Sequence, residues 1–219
     1  MSNSIVSLNN LLTKFYSLKD NQNTLIIGID GPSAAGKSTL ARKLKNLGKE
    51  VTIVHMDDFY RPSNEKKIVD STSVGESFDW ERLMKQVLLP VSNNNKGSYQ
   101  RYDWDTDRLA EWHKVPVGGI VIIEGCYSLR NELLPFYHVK LWVDALKEIS
   151  SVRVVDRERR GTGNKKMWEE VYRPAEEKYI ELQKPYKNVD IIVDGAGEIA
   201  DINQCEVKIL HESDRWLNL

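Results

Sequence analysis

The sequence contains very few cysteines. Among its 219 residues only Cys126 and Cys205 occur, and they lie far apart, without the paired spacing of a metal site. This scarcity argues against a disulfide scaffold, and reduced thiols in a cytoplasmic protein are the expectation. The N-terminus has no basic region followed by an apolar stretch, so we expect no secretory signal.

The sequence also lacks long apolar runs and carries almost no net charge. No run approaches the roughly 18–20 apolar residues that cross a bilayer, so we expect no membrane contact. The 31 basic and 32 acidic residues leave a net charge of −1. This balance excludes a general polyanion binder, so no nucleic-acid partner is expected. With 41% apolar residues, the chain can bury a core, and we predict one domain spanning residues 1–219.

Five short, β-branched apolar runs are spread along the chain. Each ends on an acidic residue, and they cover residues 24–30, 51–57, 119–124, 139–144 and 189–194. Near-continuous apolar runs are typical of strands that are buried on both faces. Helical patterns lie between them, so the sequence predicts an α/β fold with a five-stranded, mostly parallel sheet and helices on both faces. Ligands of such sheets bind at the carboxyl edge.

Four further segments stand apart from this alternation. Residues 1–20 predict an N-terminal helix, and residues 153–173 are rich in arginine and predict a lid. Residues 90–116 are too long for an ordinary connection, and they are either an inserted hairpin or a substrate-binding flap. Residues 198–219 form a tail, for which packing across the sheet edge is one interpretation.

A glycine-rich pattern follows the first strand. Residues 31–38 match G-x-x-x-x-G-K-[ST], the loop whose backbone N–H groups surround phosphates at a helix N-terminus. Lys37 is expected to reach the β- and γ-phosphates, and Ser38 to hold Mg²⁺. The pattern therefore predicts ATP and Mg²⁺ as ligands. The expected ATP-binding residues are Gly31, Ser33, Ala34, Ala35, Gly36, Lys37, Ser38 and Thr39.

Phosphoryl transfer also needs carboxylates near the metal ion and near the accepting hydroxyl. Asp57 and Glu124 each end a predicted strand, and both are candidates. A helix cap or an ion-pair partner is the alternative for Glu124. Neighbouring strand residues face opposite sides, so we expect only one of Asp57 and Asp58 to face the phosphates.

Several arginines precede a Gly-Thr-Gly segment that could hinge a lid. On a helix, Arg153, Arg157 and Arg160 share one face. Guanidinium groups suit the distributed charge of a phosphoryl transition state, and the alternative is a solvated helix with local ion pairs. Which arginine contacts phosphate stays open.

Trp104, Tyr102 and Tyr60 could form a flat-walled pocket for a planar group. The alternative is that these rings only seal the hairpin onto the rest of the domain.

Several segments in this order resemble the uridine kinase and pantothenate kinase group of P-loop kinases. The resemblance spans residues 25–195. It rests on GPSAAGKST (31–39), HMDDFYRP (55–62), ESFDWERL (76–83), YQRYDWD (99–105), IVIIEG (120–125), LWVDA (141–145) and RPAEEKYIELQKPY (173–186).

The resemblance implies roles for individual residues. Asp57 corresponds to the residue that takes the acceptor's proton, and with Lys37 and Arg157 it completes the predicted catalytic set. Glu124 supports the metal ion, together with Ser38 and Asp57. The positions implied beside the acceptor are Tyr60, Arg61, Tyr102, Asp103 and Trp104.

The resemblance implies an ATP-dependent kinase of a small molecule, with the 5′-hydroxyl of a nucleoside such as uridine as acceptor. The hairpin departs from uridine kinases, because Asp107 stands where they carry a base-contacting histidine. Pantothenate, nicotinamide riboside or another small alcohol is therefore the alternative acceptor. A regulatory nucleotide switch is the alternative of another class, but residues 123–125 do not supply its D-x-x-G signature. A homodimer stays open.

Overall fold

The computed structural model describes residues 4–19, 23–65, 74–196 and 205–218. The strands in this part of the chain are β1 Ser4–Ser7, β2 Leu25–Asp30, β3 Val51–His55, β4 Gly97–Asp103, β5 Arg108–Val115, β6 Ile120–Glu124, β7 Val139–Asp144, β8 Ile191–Asp194 and β9 Glu206–Glu212. The α-helices are α1 Leu8–Lys19, α2 Lys37–Leu47, α3 Trp80–Leu83, α4 Leu89–Ser92, α5 Lys147–Arg159, α6 Lys165–Met167, α7 Arg173–Gln183 and α8 Asp214–Leu217. Helical turns of the π type, Met84–Leu88 and Trp168–Tyr172, join α3 to α4 and α6 to α7.

The main sheet has the order β1-β9-β8-β7-β2-β6-β3. The five strands from β8 to β3 are parallel and correspond to the five predicted runs, which confirms the α/β fold with a mostly parallel sheet. The predicted count of five was wrong, because β9 pairs antiparallel with β8, and β1 pairs antiparallel with β9. The sheet therefore has seven strands.

Both added strands come from the ends of the chain. Residues 4–7, which were predicted as helix, pair with β9, and the helix begins at Leu8. The tail contributes β9 and α8, so it extends the sheet instead of crossing its edge.

The core lies on both faces of the sheet. Every residue of β2 is buried, and successive side chains point to opposite sides. Leu25, Ile27 and Ile29 pack toward α1 and α2 in one cluster. Ile26 packs on the other side, in a cluster that also contains Tyr179 of α7. This burial on both faces explains why the strand runs are continuously apolar.

The carboxyl ends of β2, β6 and β3 lie side by side. Ile29 of β2 is level with Glu124 of β6, which is level with His55 of β3. The connections that leave these ends line a cleft through Ser33, Asp57 and Cys126. Strands β4 and β5 form a separate two-stranded hairpin within residues 90–116, and Trp104 between them lines the same cleft.

Candidate active site

The loop between β2 and α2 depends on two glycines in left-handed conformations. The φ angles are +149° at Gly31 and +118° at Gly36. A Cβ atom on Gly31 would lie 2.2 Å from the carbonyl oxygen of Val143, so a side chain does not fit there. Gly36 caps the N-terminus of α2, where unpaired N–H groups attract an anion. The glycine spacing in the sequence thus produces a tight loop that leads directly into α2, and Thr39 lies in the first turn of this helix.

Asp30 fixes the start of this loop. Its buried carboxylate accepts hydrogen bonds from Gly31 N at 2.7 Å, Leu129 N at 2.9 Å and the Tyr179 hydroxyl at 2.7 Å. Burial raises the pKa of Asp30 to about 6, although the nearby Lys37 ammonium opposes the shift. The strand-end carboxylate is therefore a structural anchor, which its position in the sequence did not reveal.

Lys37 lies inside the loop. Its buried ammonium donates to the carbonyl oxygens of Gly31 at 2.7 Å and Pro32 at 2.8 Å, and lies 3.3 Å from Cys126 Sγ. The loop therefore holds a positive charge among backbone groups that point at a phosphate in this motif.

Ser38 and Glu124 meet at the other side of the loop. The Ser38 hydroxyl donates to Glu124 Oε2 at 3.0 Å, and Glu124 Oε1 lies 2.5 Å from His55 Nδ1. This hydrogen bond to Glu124 raises the pKa of His55. The parallel register of β3 and β6 brings His55 level with Glu124.

These oxygen atoms can take part in a magnesium site. Mg²⁺ is commonly bound by one or two carboxylates together with the oxygens of a phosphate substrate. Ser38 Oγ and the 3% exposed Glu124 provide hard oxygen ligands next to the loop. No cluster of three or more metal-ligating His, Cys, Asp or Glu side chains occurs within the described ranges. The donor set therefore fits a metal ion that takes some of its ligands from the protein and the rest from the phosphates of a bound nucleotide.

Asp57 and Asp58 lie on a 3₁₀ turn, Met56–Phe59, because β3 ends two residues earlier than predicted, at His55. Asp57 faces the cleft and Asp58 faces the hairpin, where it accepts a hydrogen bond from the Tyr99 hydroxyl at 2.9 Å. Partial removal from water raises the pKa of Asp57, and the negative charge of Glu124 adds to the shift, whereas Lys37 opposes it. Of these two neighbouring aspartates, only Asp57 is thus positioned to act in the cleft.

A central cavity of about 420 Å³ opens from the loop at Ser33. Its polar lining includes Asp57, Glu76, Arg157 and Glu176. Its aromatic lining consists of Tyr60, Phe78, Trp104, Tyr127, Trp168 and Tyr172. Flat apolar walls with a few charged groups are typical of a site for a small molecule.

The hairpin contributes to this cavity through Trp104. The Tyr60 ring lies 4.6 Å from the Trp104 ring and 5.3 Å from the Tyr102 ring, measured between centroids. Tyr102 is buried, and its hydroxyl donates to Asp107 Oδ1 at 2.6 Å. Trp104 and Tyr60 therefore line the cavity, whereas Tyr102 packs behind them.

Besides Tyr102, two further predicted acceptor-binding residues, Arg61 and Asp103, lie outside the cavity lining. The buried Arg61 guanidinium donates to Asp79 Oδ1 at 2.9 Å, which ties the 3₁₀ turn to the start of α3. Asp103 accepts from the Thr106 hydroxyl at 2.6 Å and from the Arg101 guanidinium at 3.4 Å, within the hairpin turn. Both contacts support the walls of the site.

The three lid arginines have different partners. Arg153 donates to the carbonyl oxygens of Ala34 at 3.1 Å and Ala35 at 3.0 Å, behind the loop. Arg157 lines the cavity, whereas the exposed Arg160 donates to the carbonyl oxygen of Asp156 on its own helix. Among these three, Arg157 is the one positioned toward a cavity ligand.

Comparison with known proteins assigns the family. The model of the phosphoribulokinase/uridine kinase family matches residues 26–200. The chain belongs to this family. A uridine kinase of Macrococcus caseolyticus is 29% identical over 201 residues, which cover 85% of this chain and 97% of that protein. A uridine kinase of Halobacterium salinarum is 26% identical over 199 residues, which cover 85% and 87% of the two chains.

The fold of this uridine kinase family member is also found in a solved structure. The "possible uridine kinase" from Bacillus stearothermophilus superposes with a TM-score of 0.60 at 23% identity, covering 84% of this chain and 98% of that one. The family match, and not this likeness of fold, makes the protein a P-loop kinase of the uridine kinase family and a phosphotransferase. None of the helices in the described residues is both long and apolar enough to span a membrane.

Proposed function

We propose that this kinase transfers the γ-phosphoryl group of ATP to the 5′-hydroxyl of a nucleoside such as uridine. The observation that carries the proposal is the shared cavity, in which the carboxylate of Asp57 and Ser33 of the phosphate loop line the same space. A base and a phosphate loop that face one small cavity can bring a hydroxyl into line with a phosphoryl group. Such positioning supplies much of the catalysis in phosphoryl transfer.

The donor side is assigned to the loop and the lid. The backbone of residues 31–39 binds the phosphates, and the Lys37 ammonium neutralises oxygens of the β- and γ-phosphates. Arg157, on the cavity wall, stabilises the charge that spreads over the transferring group. Arg153 holds the loop from behind through Ala34 and Ala35.

Ser38, Glu124 and Asp57 are assigned to the magnesium ion. Ser38 and Glu124 are already in contact, and Asp57 lies close enough to Glu124 for the two charges to interact. A Mg²⁺ ion held by these residues would supply positive charge that neutralises the charge developing on the phosphate oxygens. His55 holds the Glu124 carboxylate in place through the second oxygen.

Asp57 is assigned as the base. It accepts the proton of the acceptor hydroxyl while the oxygen of that hydroxyl bonds to the γ-phosphorus. The bond from this phosphorus to the β,γ-bridging oxygen breaks, and ADP leaves. A raised pKa suits a general base because it brings proton affinity closer to neutral pH. Trp104 and Tyr60 hold the planar part of the acceptor by stacking.

A different small alcohol, such as pantothenate or nicotinamide riboside, is the second candidate acceptor. One observation favours it. Asp107 stands in place of the base-contacting histidine of uridine kinases, and its carboxylate accepts hydrogen bonds from the Tyr102 hydroxyl and from Ser63 N at 3.0 Å. The Asp107 carboxylate is therefore already hydrogen-bonded to Tyr102 and Ser63. Stacking against aromatic rings holds a ring without selecting its identity.

The alternative of another class is a regulatory ATPase that phosphorylates no small molecule. Such a protein has no need for a small-molecule cavity with a carboxylate base next to the phosphate loop. The aromatic cavity walls and Asp57 together support the kinase.

An acceptor screen tests the proposal. ADP release is measured with ATP and Mg²⁺ in the presence of nucleosides, pantothenate and other ribosides. We expect at least one hydroxyl compound to raise ADP release well above the rate with ATP alone. If every acceptor leaves ADP release at that idle rate, the kinase proposal is wrong.

A further inference from the structure

Glu176 of α7 lies on the phosphate loop. Its carboxylate accepts hydrogen bonds from Ser33 N at 3.0 Å and from the Ser33 hydroxyl, and the thiol of Cys126 lies 3.4 Å away. The residue is 7% exposed, although it also lines the central cavity. The Ser33 backbone N–H of the phosphate loop is thus already hydrogen-bonded to a carboxylate of the protein itself.

The charge of Glu176 also acts on Lys37. Burial by itself lowers the pKa of the Lys37 ammonium, but the surrounding acidic groups raise it above its usual value. The groups that raise this pKa are, in order of their contribution, Cys126, Glu176, Asp30 and Glu124. Glu176 thus contributes most among the carboxylates. The loop therefore holds a negative partner for its lysine before any phosphate arrives.

Helix α7 is docked firmly enough to hold this carboxylate in place. Tyr179 lies three residues after Glu176, on the same face of the helix, and its hydroxyl donates to Asp30 at 2.7 Å. Asp30 in turn accepts from Gly31 N. The two side chains of α7 thus contact the loop at Ser33 and, through Asp30, at its first glycine.

We propose that Glu176 is an internal competitor of the nucleotide: its carboxylate occupies the phosphate loop in the empty enzyme and is displaced when phosphates bind. The inference rests on the proposed function, because it assumes that a nucleotide uses this loop. A phosphate group and the carboxylate both need the Ser33 N–H and the charge of Lys37. Two anions at one small site repel each other, so binding requires the carboxylate to move.

Binding measurements on two neighbouring variants test this proposal. Glu176→Gln removes the charge and keeps an oxygen that can accept from Ser33. Glu177→Gln is the matched control, because Glu177 is exposed on the same helix and pairs with Lys147 at 3.2 Å. The dissociation constants of ADP and of a non-hydrolysable ATP analogue are measured by calorimetry at fixed ionic strength.

We expect Glu176→Gln to bind both nucleotides about tenfold more tightly than the wild type, with Glu177→Gln unchanged. This factor corresponds to the loss of one charge-assisted hydrogen bond that must be broken on binding. Damage to the fold cannot produce tighter binding, so the direction separates competition from a structural role. Glu176→Ala removes the competing carboxylate as well and should shift the affinity in the same direction.

Unchanged or weaker nucleotide binding by both Glu176 variants would overturn the competition. Failure of the proposed function has a different signature. If the wild type, both Glu176 variants and Glu177→Gln bind no nucleotide at all, then the loop is not a nucleotide site. In that case both the proposed function and the inference are wrong.

Discussion

Asp57 and Asp58 are adjacent in the sequence but have different surroundings. The 3₁₀ turn after β3 points Asp57 into the cleft and Asp58 toward Tyr99 of the hairpin. Asp57 therefore lies near Glu124 and Lys37, whose charges act on its pKa in opposite directions. Alternation along a strand suggested that only one of the two faces the phosphates. The identity of that residue depends on the turn, which the sequence did not predict.

The pH dependence of turnover follows from the environment of Asp57. Burial and the charge of Glu124 raise its pKa above the ordinary value of 3.8. A base works only when it is ionised, so kcat/KM for the acceptor should fall as the pH drops through this raised pKa. We expect the acidic limb of the pH profile to lie above pH 3.8. A profile that stays flat down to about pH 4 would contradict this assignment.

Burial raises the pKa of Asp30 to about 6, so the ionisation of this residue needs a separate control. Asp30 holds the phosphate loop, so its protonation should alter the dissociation constant of the nucleotide. Measuring that constant over the same pH range separates the two groups. Circular dichroism at each pH confirms that the chain stays folded.

At the scale of elements, the arginines of α5 and its C-terminal end have different surroundings. The spacing of Arg153, Arg157 and Arg160 predicted one shared helix face, whereas the structure gives each of them a different partner. Arg153 supports the loop and Arg157 faces the cavity, whereas Arg160 donates a hydrogen bond to the carbonyl oxygen of Asp156. The sequence placed the arginines together, and only the position of α5 relative to the loop separates their roles.

Substitution of two of these arginines tests this division. Arg157→Ala should lower kcat about a hundredfold, because the transferring phosphoryl group loses a positive donor. Arg160→Ala should keep nearly the wild-type kcat, since its guanidinium contacts Asp156 O at the helix surface. Steady-state kinetics with saturating ATP measures both. Equal losses in the two variants would mean that the helix contributes only general charge.

The sequence predicted some elements and missed others for identifiable reasons. Parallel strands that are buried on both faces leave continuous apolar runs, so all five were found. Strand β1 has only four residues and forms the edge of the sheet, and β9 alternates between buried and more exposed positions, so neither leaves a continuous apolar run. Glu176 and Cys126 were missed as partners of the loop, because 143 and 93 residues separate them from Ser33.

At the scale of the whole molecule, the tail belongs to the core. Strand β9 lies between β8 and β1, so it joins the N-terminal segment to the parallel sheet. Val207 and Ile209 of β9 are buried in the same cluster as Leu25 and Ile27 of β2. The sheet that carries the phosphate loop is therefore continuous with the C-terminal part of the chain.

Stability measurements on β9 test this dependence. Ile209 is 1% exposed, and Ile209→Ala should lower the free energy of unfolding by about 2–5 kcal/mol. Lys208→Ala is the control on the same strand, because its ammonium is partly exposed and pairs with Asp194 at 3.5 Å. The control should lose less than about 1 kcal/mol. Urea denaturation measures both, and equal small losses would mean that β9 contributes little to the core.

The central claim is that the cleft transfers a phosphoryl group to a hydroxyl with Asp57 as the base. Its most direct test is the rate of phosphorylated acceptor formation by the wild type, Asp57→Asn and Asp58→Asn, with the best acceptor of the screen. We expect Asp57→Asn to lose about 10²–10⁴-fold and Asp58→Asn to retain most of the rate. Near-full turnover by Asp57→Asn would contradict the claim.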